Sequence, residues 1–237
     1  MLPEFEFASP LFTAAGLDVS RETYQKLEDY AAFLVEYNEK VNLTAITDGD
    51  SILKKHFIDS LLLHHLCEPQ FPQGAALLDI GSGAGFPGVP LALLRQDLQI
   101  TLMDSLNKRI VFLEQLRERL GLQYSAVHGR AEELAKKPEF REQFDIVTAR
   151  AVAALPTLAE YSLPFVKQGG FWLAMKGPGE EIRPALQAIR VLGGEFAEEK
   201  QYRLPDGEER VIYVVKKTGH TPTKFPRNSG QIKSKPL

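Results

Sequence analysis

Cysteine is nearly missing from this sequence: Cys67 stands alone among 237 residues, so neither an intrachain disulfide nor a cysteine-based zinc site can be built from it. Long apolar runs are missing as well. Nothing reaches the roughly 18 consecutive apolar residues that a bilayer crossing requires, and the opening MLPEFEFASP carries acids where a secretory signal carries basic residues. A cytoplasmic chain outside the membrane is therefore expected. The spacings of histidine, cysteine and acids form no ligand cluster, so no metal is expected. Compositional bias is also absent, since 44% apolar and 25% charged residues are ordinary globular values that exclude collagen-like and wholly disordered classes. At 237 residues, against about 150 per domain, the length suits one α/β-sized domain with an appended segment.

Charge is spread unevenly. From Lys216 onward the chain holds six cations (Lys216, Lys217, Lys224, Arg227, Lys233 and Lys235) and no acid, which leaves the rest of a chain of net charge −3 at −9. A mildly acidic body with a basic, Pro/Gly/Ser-rich end predicts an extension that contacts a polyanion, with Lys224 and Arg227 as candidate RNA contacts, although a merely solvated terminus has the same composition.

The first seventy residues read as helical. Tyr24, Leu27, Ala31, Leu34 and Val41 recur at helical steps behind the candidate N-cap Ser20, and a second amphipathic helix spans Ser51 to Leu66, with His56 and Asp59 on one face. From Ala75 short apolar runs alternate with helical periods, the pattern of βαβ units. Strands are predicted at 76–80, 99–104, 124–128, 144–149 and 170–175, and a final pair at 195–203 and 210–215 is joined by the turn sequence LPDGEE. The expected fold is a doubly wound, seven-stranded, mostly parallel α/β sheet with a helical extension at residues 1–70, a central domain at 71–217 and a basic tail at 218–237.

The string LLDIGSGAGFPG places a strand end directly before Gly81, Gly83 and Gly85, with a helix able to start near Pro87. Glycines let the chain turn and let a ligand approach the backbone, while the helix start offers unpaired amides. A dinucleotide fingerprint starting at Gly81 fails, because Phe86 stands where glycine is needed. An acid followed by G-x-G-x-G, here Asp79 with Gly81, Gly83 and Gly85, suits a ligand with a cationic methionine end, and Asp104 at the next strand end can accept ribose hydroxyls. A glycine turn that merely packs, or a nicotinamide or flavin ligand, are the rival readings.

DIGSGAGFPGVPLA, DSLNKRIVFL, GRAEEL, FDIVTARAVAAL and GGFWLAMKG, in that order, resemble the guanine-N7 methyltransferases of small-subunit ribosomal RNA, the family also called glucose-inhibited division protein B. VNLTAI, KHFIDSL and FPRNSGQIKSKPL extend the resemblance over nearly the whole chain. It implies a Rossmann-like fold, S-adenosyl-L-methionine as cofactor, and small-subunit ribosomal RNA or the 30S particle as partner, with a monomer the simplest assembly. Carried over by position, cofactor contacts fall on Gly81, Phe86, Ala131, Glu132 and Arg150, joined by Asp104.

The acceptor's chemistry narrows the reading further. The segment after the fourth strand, TARAVAAL, lacks the Asp/Asn-Pro-Pro-aromatic loop of amine methylation, and Cys67 lies too far upstream to serve as the thiolate that cytosine C5 chemistry needs. A ribose 2′-hydroxyl needs deprotonation, for which Lys176 is the candidate. Guanine N7 carries a lone pair and no proton, so its attack needs orientation and no base. His56 and Asp59 are the candidate catalytic pair, the carboxylate offsetting the charge of a cationic purine product. A-form RNA hides N7 in a narrow groove, so the target base must be unpaired or extruded. Lys108, Arg109, Arg150 and Lys176 follow strand ends and are expected to rim one face as phosphate contacts. A methyltransferase of small molecules or proteins, and an RNA-binding protein that senses the cofactor without turnover, remain alternatives.

Overall fold

The computed structural model describes residues 1–237. Helices α1 (Phe5–Ala14) and α2 (Arg21–Asn38) lead to α3 (Gly49–Ile52), a π-helical turn over Leu53–Ile58 and α4 (Asp59–Leu66). The order then alternates: β1 (Ala76–Ile80), α5 (Gly88–Leu94), β2 (Gln99–Asp104), α6 (Asn107–Leu120), β3 (Ser125–His128), α7 (Ala131–Leu134) and β4 (Phe144–Arg150). It continues with α8 (Leu155–Ser162), β5 (Val166–Lys176), α9 (Leu186–Val191), β6 (Gly194–Arg203), β7 (Glu209–Lys217) and α10 (Ser229–Ser234). No helix is long and apolar enough to cross a membrane.

The seven strands lie in the order β3-β2-β1-β4-β5-β7-β6, with β7 antiparallel to both of its neighbours. Both faces of the central strands are covered, which is why they read as near-continuous apolar runs rather than as alternating ones. Leu77, Ile146, Leu173 and Val214 point to one face, into a cluster shared with Leu27, Leu34, Phe57 and Phe112. Leu78, Val147, Trp172 and Val215 point to the other, against Leu158, Ala159 and Ile189. The N-terminal helices are thus one covering layer of the sheet, built into its core together with α5 and α6, although in sequence they precede it.

β1 lies between β2 and β4, so the chain leaves it in opposite directions along the sheet. A crevice opens beyond the carboxyl ends of the strands at such a switch point, and the glycine loop starts there. Two sequence expectations meet a different outcome. The helix foreseen at 51–66 is interrupted by the π turn, whose Lys55 carbonyl accepts a bond from Arg150 Nη1 at 3.0 Å. Widened turns of this kind release a carbonyl to an outside donor. The basic end is also no free arm. Phe225 and Ile232 are buried, and Arg141 donates to the carbonyls of Thr221 (2.7 Å) and Phe225 (2.9 Å), drawing residues 218–237 onto the body.

Candidate active site

Gly81 begins the turn after β1, where its amide and that of Ser82 both donate to the Met103 carbonyl, at 2.8 and 3.0 Å. The next glycines serve different ends. Gly83 has φ +60°, and a Cβ there would meet only the Gly81 carbonyl at 3.8 Å, so the space beside it is open to a ligand. Gly85 has φ +99°, and a Cβ would lie 2.7 Å from both the Tyr30 hydroxyl and Val89 Cγ2. Its missing side chain makes room for Tyr30, whose hydroxyl donates to the Ala84 carbonyl and fastens the loop to α2.

A crevice of about 620 Å³ opens over Gly81–Ala84, walled by the π turn, the end of β4 and Tyr202 of β6. At its centre, Arg150 donates to Asp59 Oδ2 at 2.7 Å and to His56 Nδ1 at 3.2 Å. Tyr202 donates to the other oxygen, Asp59 Oδ1, at 2.6 Å. Phe86 stacks on His56 (ring centres 4.4 Å apart) and on Tyr30 (5.2 Å), and the Arg150 guanidinium lies 5.1 Å from its ring centre. His56 Nδ1 also lies 3.2 Å from the Lys55 carbonyl, and Nε2 lies 3.2 Å from Thr44 Oγ1, so both ring nitrogens are engaged. Burial, assisted by the Arg150 charge, pushes the His56 pKa down to about 3, so the imidazole is neutral at physiological pH. Burial beside Asp59 raises the Tyr202 phenol in turn. Thr44 is held in place by Asn38, whose Oδ1 accepts the amides of Leu43 (2.7 Å) and Thr44 (3.0 Å) where α2 ends.

A second crevice, of about 230 Å³, lies on the other side of Gly81, between the ends of β2 and β3 and α8. Asp104 lines it, accepting the Gly83 amide (3.0 Å) and Arg109 Nη1 (3.1 Å) on Oδ2 but only the Leu106 amide (2.9 Å) on Oδ1. Lone-pair capacity on Oδ1 is left for a hydroxyl. Ala131 and Glu132 line the same space, with Glu132 paired to Arg130 at 2.7 Å. Ala151, at φ +57°, turns the chain so that Val152 lies over Gly81 between the two crevices. A non-glycine residue in that region is a local strain of a kind found at binding sites. The open cradle at Gly83, the acceptor on Asp104 and the paired crevices fit an elongated ligand with a hydroxylated sugar in its middle, as S-adenosylmethionine has.

The family model for rRNA small subunit methyltransferase G, GidB, matches residues 23–201. Ribosomal RNA small subunit methyltransferase G of Clostridium botulinum is 45% identical over 226 residues, 94% of either chain, and that of Lactobacillus delbrueckii is 47% identical over 217 residues, 90% of this chain and 91% of the other. The chain belongs to the GidB family. Membership makes it a methyltransferase of small-subunit ribosomal RNA by class. The fold itself is more widely shared. TrmN of Thermus thermophilus superposes with a TM-score of 0.52 at 17% identity, covering 68% of this chain and 48% of that one. The cyclase SpnF superposes at 0.53 and 15% identity, covering 68% of this chain and 82% of that one. A cyclase on the same scaffold shows why the site, and not the sheet, must carry the chemistry.

In this GidB member Gly81, Gly83, Phe86 and Arg150 line the larger crevice with His56 and Asp59, while Asp104, Ala131 and Glu132 line the smaller one. Asp79 lines neither crevice: it is 0% exposed behind the loop, where its Oδ2 accepts the Gly88 amide at 3.1 Å and its Oδ1 has no partner. Its position just before the glycines made it look available; the strand turns its side chain into the fold instead. Gly85 likewise lines neither crevice, for the packing reason given above. Of the expected cationic rim, Arg109 and Lys176 line the larger crevice and Lys108 does not. Lys176 donates to the Ala153 carbonyl at 2.6 Å and pairs with Glu180 at 2.7 Å. Arg227 is spent on Glu160, whose carboxylate is 0% exposed, and Lys224 lies over the Phe225 ring. Tyr202, Thr44, Val152 and Lys233 line the crevices without having been foreseen. Thr44 lies in the VNLTAI string, Val152 in FDIVTARAVAAL and Lys233 in FPRNSGQIKSKPL, whereas Tyr202 carried no signal.

Proposed function

We propose that this chain transfers a methyl group from S-adenosylmethionine to N7 of a guanine in 16S ribosomal RNA. When bound, the donor supplies an electrophilic methyl group on a cationic sulfur. Asp104 would hold the ribose, the open face of the Gly81–Gly83 turn would receive the amino-acid end, and Arg150 would be held ready by Asp59. The observation that carries the choice of acceptor is that the candidate bases of the larger crevice are already partnered: His56 has both nitrogens engaged and its pKa depressed to about 3, Asp59 accepts from Arg150 and Tyr202, and Lys176 is paired with Glu180. The other carboxylates of that crevice, Glu180 and Glu208, are paired with Lys176 and with Lys55 and Arg210. An acceptor that brings its own lone pair and no proton suits such a site, whereas a ribose hydroxyl does not.

The chain's contribution is then orientation, worth about 7–11 kcal/mol in well-aligned intramolecular systems. Asp59 is a positioning residue in this account: its charge is already matched by Arg150, so it aims the guanidinium rather than offsetting the product. A cytoplasmic enzyme that reaches its guanine in the RNA or in a 30S particle is consistent with a mouth that carries Lys55, Arg109 and Arg210. Mass spectrometry of 16S RNA from cells with and without the protein tests the reading. Loss of one 7-methylguanosine on deletion is expected, and an unchanged methylation map would refute it.

A further inference from the structure

We propose that the C-terminal helix α10 is a wall of the adenosyl half of the donor site, with Lys233 as a donor-contacting cation, so that the basic end of the chain serves the cofactor rather than the RNA. The inference rests on the methyl-donor reading above.

Four observations lead to it. The end of the chain is anchored by buried chemistry: the Arg227 amide donates to Glu160 Oε1 at 2.8 Å and its guanidinium to Glu160 Oε2 at 2.6 Å, inside the protein on α8. The helix that follows is closed at both ends, since Asn228 Oδ1 accepts the Gln231 amide at 2.9 Å and Arg227 Nη1 donates to the Lys235 carbonyl at 2.9 Å. Ile232 is buried, which fixes the rotation of α10 on the body. Lys233, the next residue, lines the smaller crevice together with Asp104, Glu132 and Tyr161, and Tyr161 directly follows the anchor Glu160.

The charge pattern gives this placement its meaning. Two cations line that crevice, and Arg130 is already paired with Glu132, whereas Lys233 makes no ion pair or hydrogen bond with the protein. Lys233 shares that crevice with Asp104 and Glu132 without pairing with either, which sets a donor among acceptors. An adenine offers the complement, with acceptor ring nitrogens next to a donating exocyclic amine. An RNA-binding arm would keep its cations together and outward, yet here Arg227 is consumed internally and Lys233 faces the crevice with Asp104.

Titration calorimetry of the full-length protein with S-adenosylhomocysteine decides the matter. Replacing Lys233→Ala should weaken binding about 3- to 10-fold, Lys233→Glu should weaken it further, and Lys233→Arg should restore most of the affinity, as expected for one charge-assisted hydrogen bond. Affinity for a 16S RNA fragment should stay within about twofold of the unaltered protein for Lys233→Ala, the change expected from one distant surface charge. Lys233 lies on an exposed helical face, so circular dichroism should show all three variants folded. Unchanged S-adenosylhomocysteine affinity in Lys233→Ala and Lys233→Glu would overturn the proposal, and so would a loss confined to RNA affinity. If the unaltered protein takes up no S-adenosylhomocysteine, the donor reading itself fails and this inference with it.

Discussion

Neighbouring glycines in the loop after β1 carry separate burdens, and substitution separates them. At Gly83 an added methyl group meets open space, so Gly83→Ala should cost about 1–2 kcal/mol of left-handed strain and mainly impair donor binding. At Gly85 the methyl collides with Tyr30 and Val89, so Gly85→Ala should lower the melting temperature well beyond Gly83→Ala. Thermal melts beside donor titrations check the contrast; equal destabilisation by the two variants would contradict it. Two buried titrating groups make a second residue-scale prediction. Burial raises the Asp79 pKa to about 7 from 3.8, so the folded state holds its proton where the unfolded state has lost it. The stability this group contributes is full below about 4 and is lost as pH rises to about 7. His56 runs the other way: its pKa of about 3 lies below the ordinary 6.5, so its contribution is present above 6.5 and is lost as pH falls towards 3. Denaturant melts across pH should therefore show Asp79→Asn gaining on the parent protein as pH rises from about 4 to 7, and a parallel profile would count against a neutral buried Asp79.

Among elements, the sequence was most readable where a single local pattern decides the structure. β1 and β2 have the bounds that their apolar runs predicted. What stayed hidden depends on contacts between distant segments. The π turn at 53–58 is settled by an arginine almost a hundred residues later, and Tyr202 becomes a site residue only because β6 passes beside Asp59. Neither fact has a local signature. The C-terminal segment shows the same limit, since a count of its cations cannot reveal that Arg227 meets a buried Glu160. Removing that partner should be severe: Arg227→Ala strands a carboxylate inside the protein and should cost about 3–5 kcal/mol in urea unfolding. A loss under about 1 kcal/mol, the range of exposed ion pairs, would mean that the anchor is not buried in solution.

For the whole molecule, a chain of net charge −3 must still attract RNA, so its cations have to act locally around the larger crevice. Affinity for a 16S RNA fragment should fall steeply as salt rises from about 50 to 200 mM, and Arg109→Ala should reduce the logarithmic salt slope by about 0.7, the share of one phosphate contact on a single strand. Filter binding over that range checks both, and a flat response would remove the cationic rim from the account. The central claim is that a crevice whose candidate bases are all partnered serves a nucleophile that needs none. The most direct measurement incubates the purified protein with labelled S-adenosylmethionine and 16S RNA and identifies the labelled nucleoside after digestion. Label confined to 7-methylguanosine, with a transfer rate showing no inflection near pH 6.5 from His56, is the predicted result. Label on a ribose hydroxyl or an exocyclic amine, or no transfer at all, would contradict it.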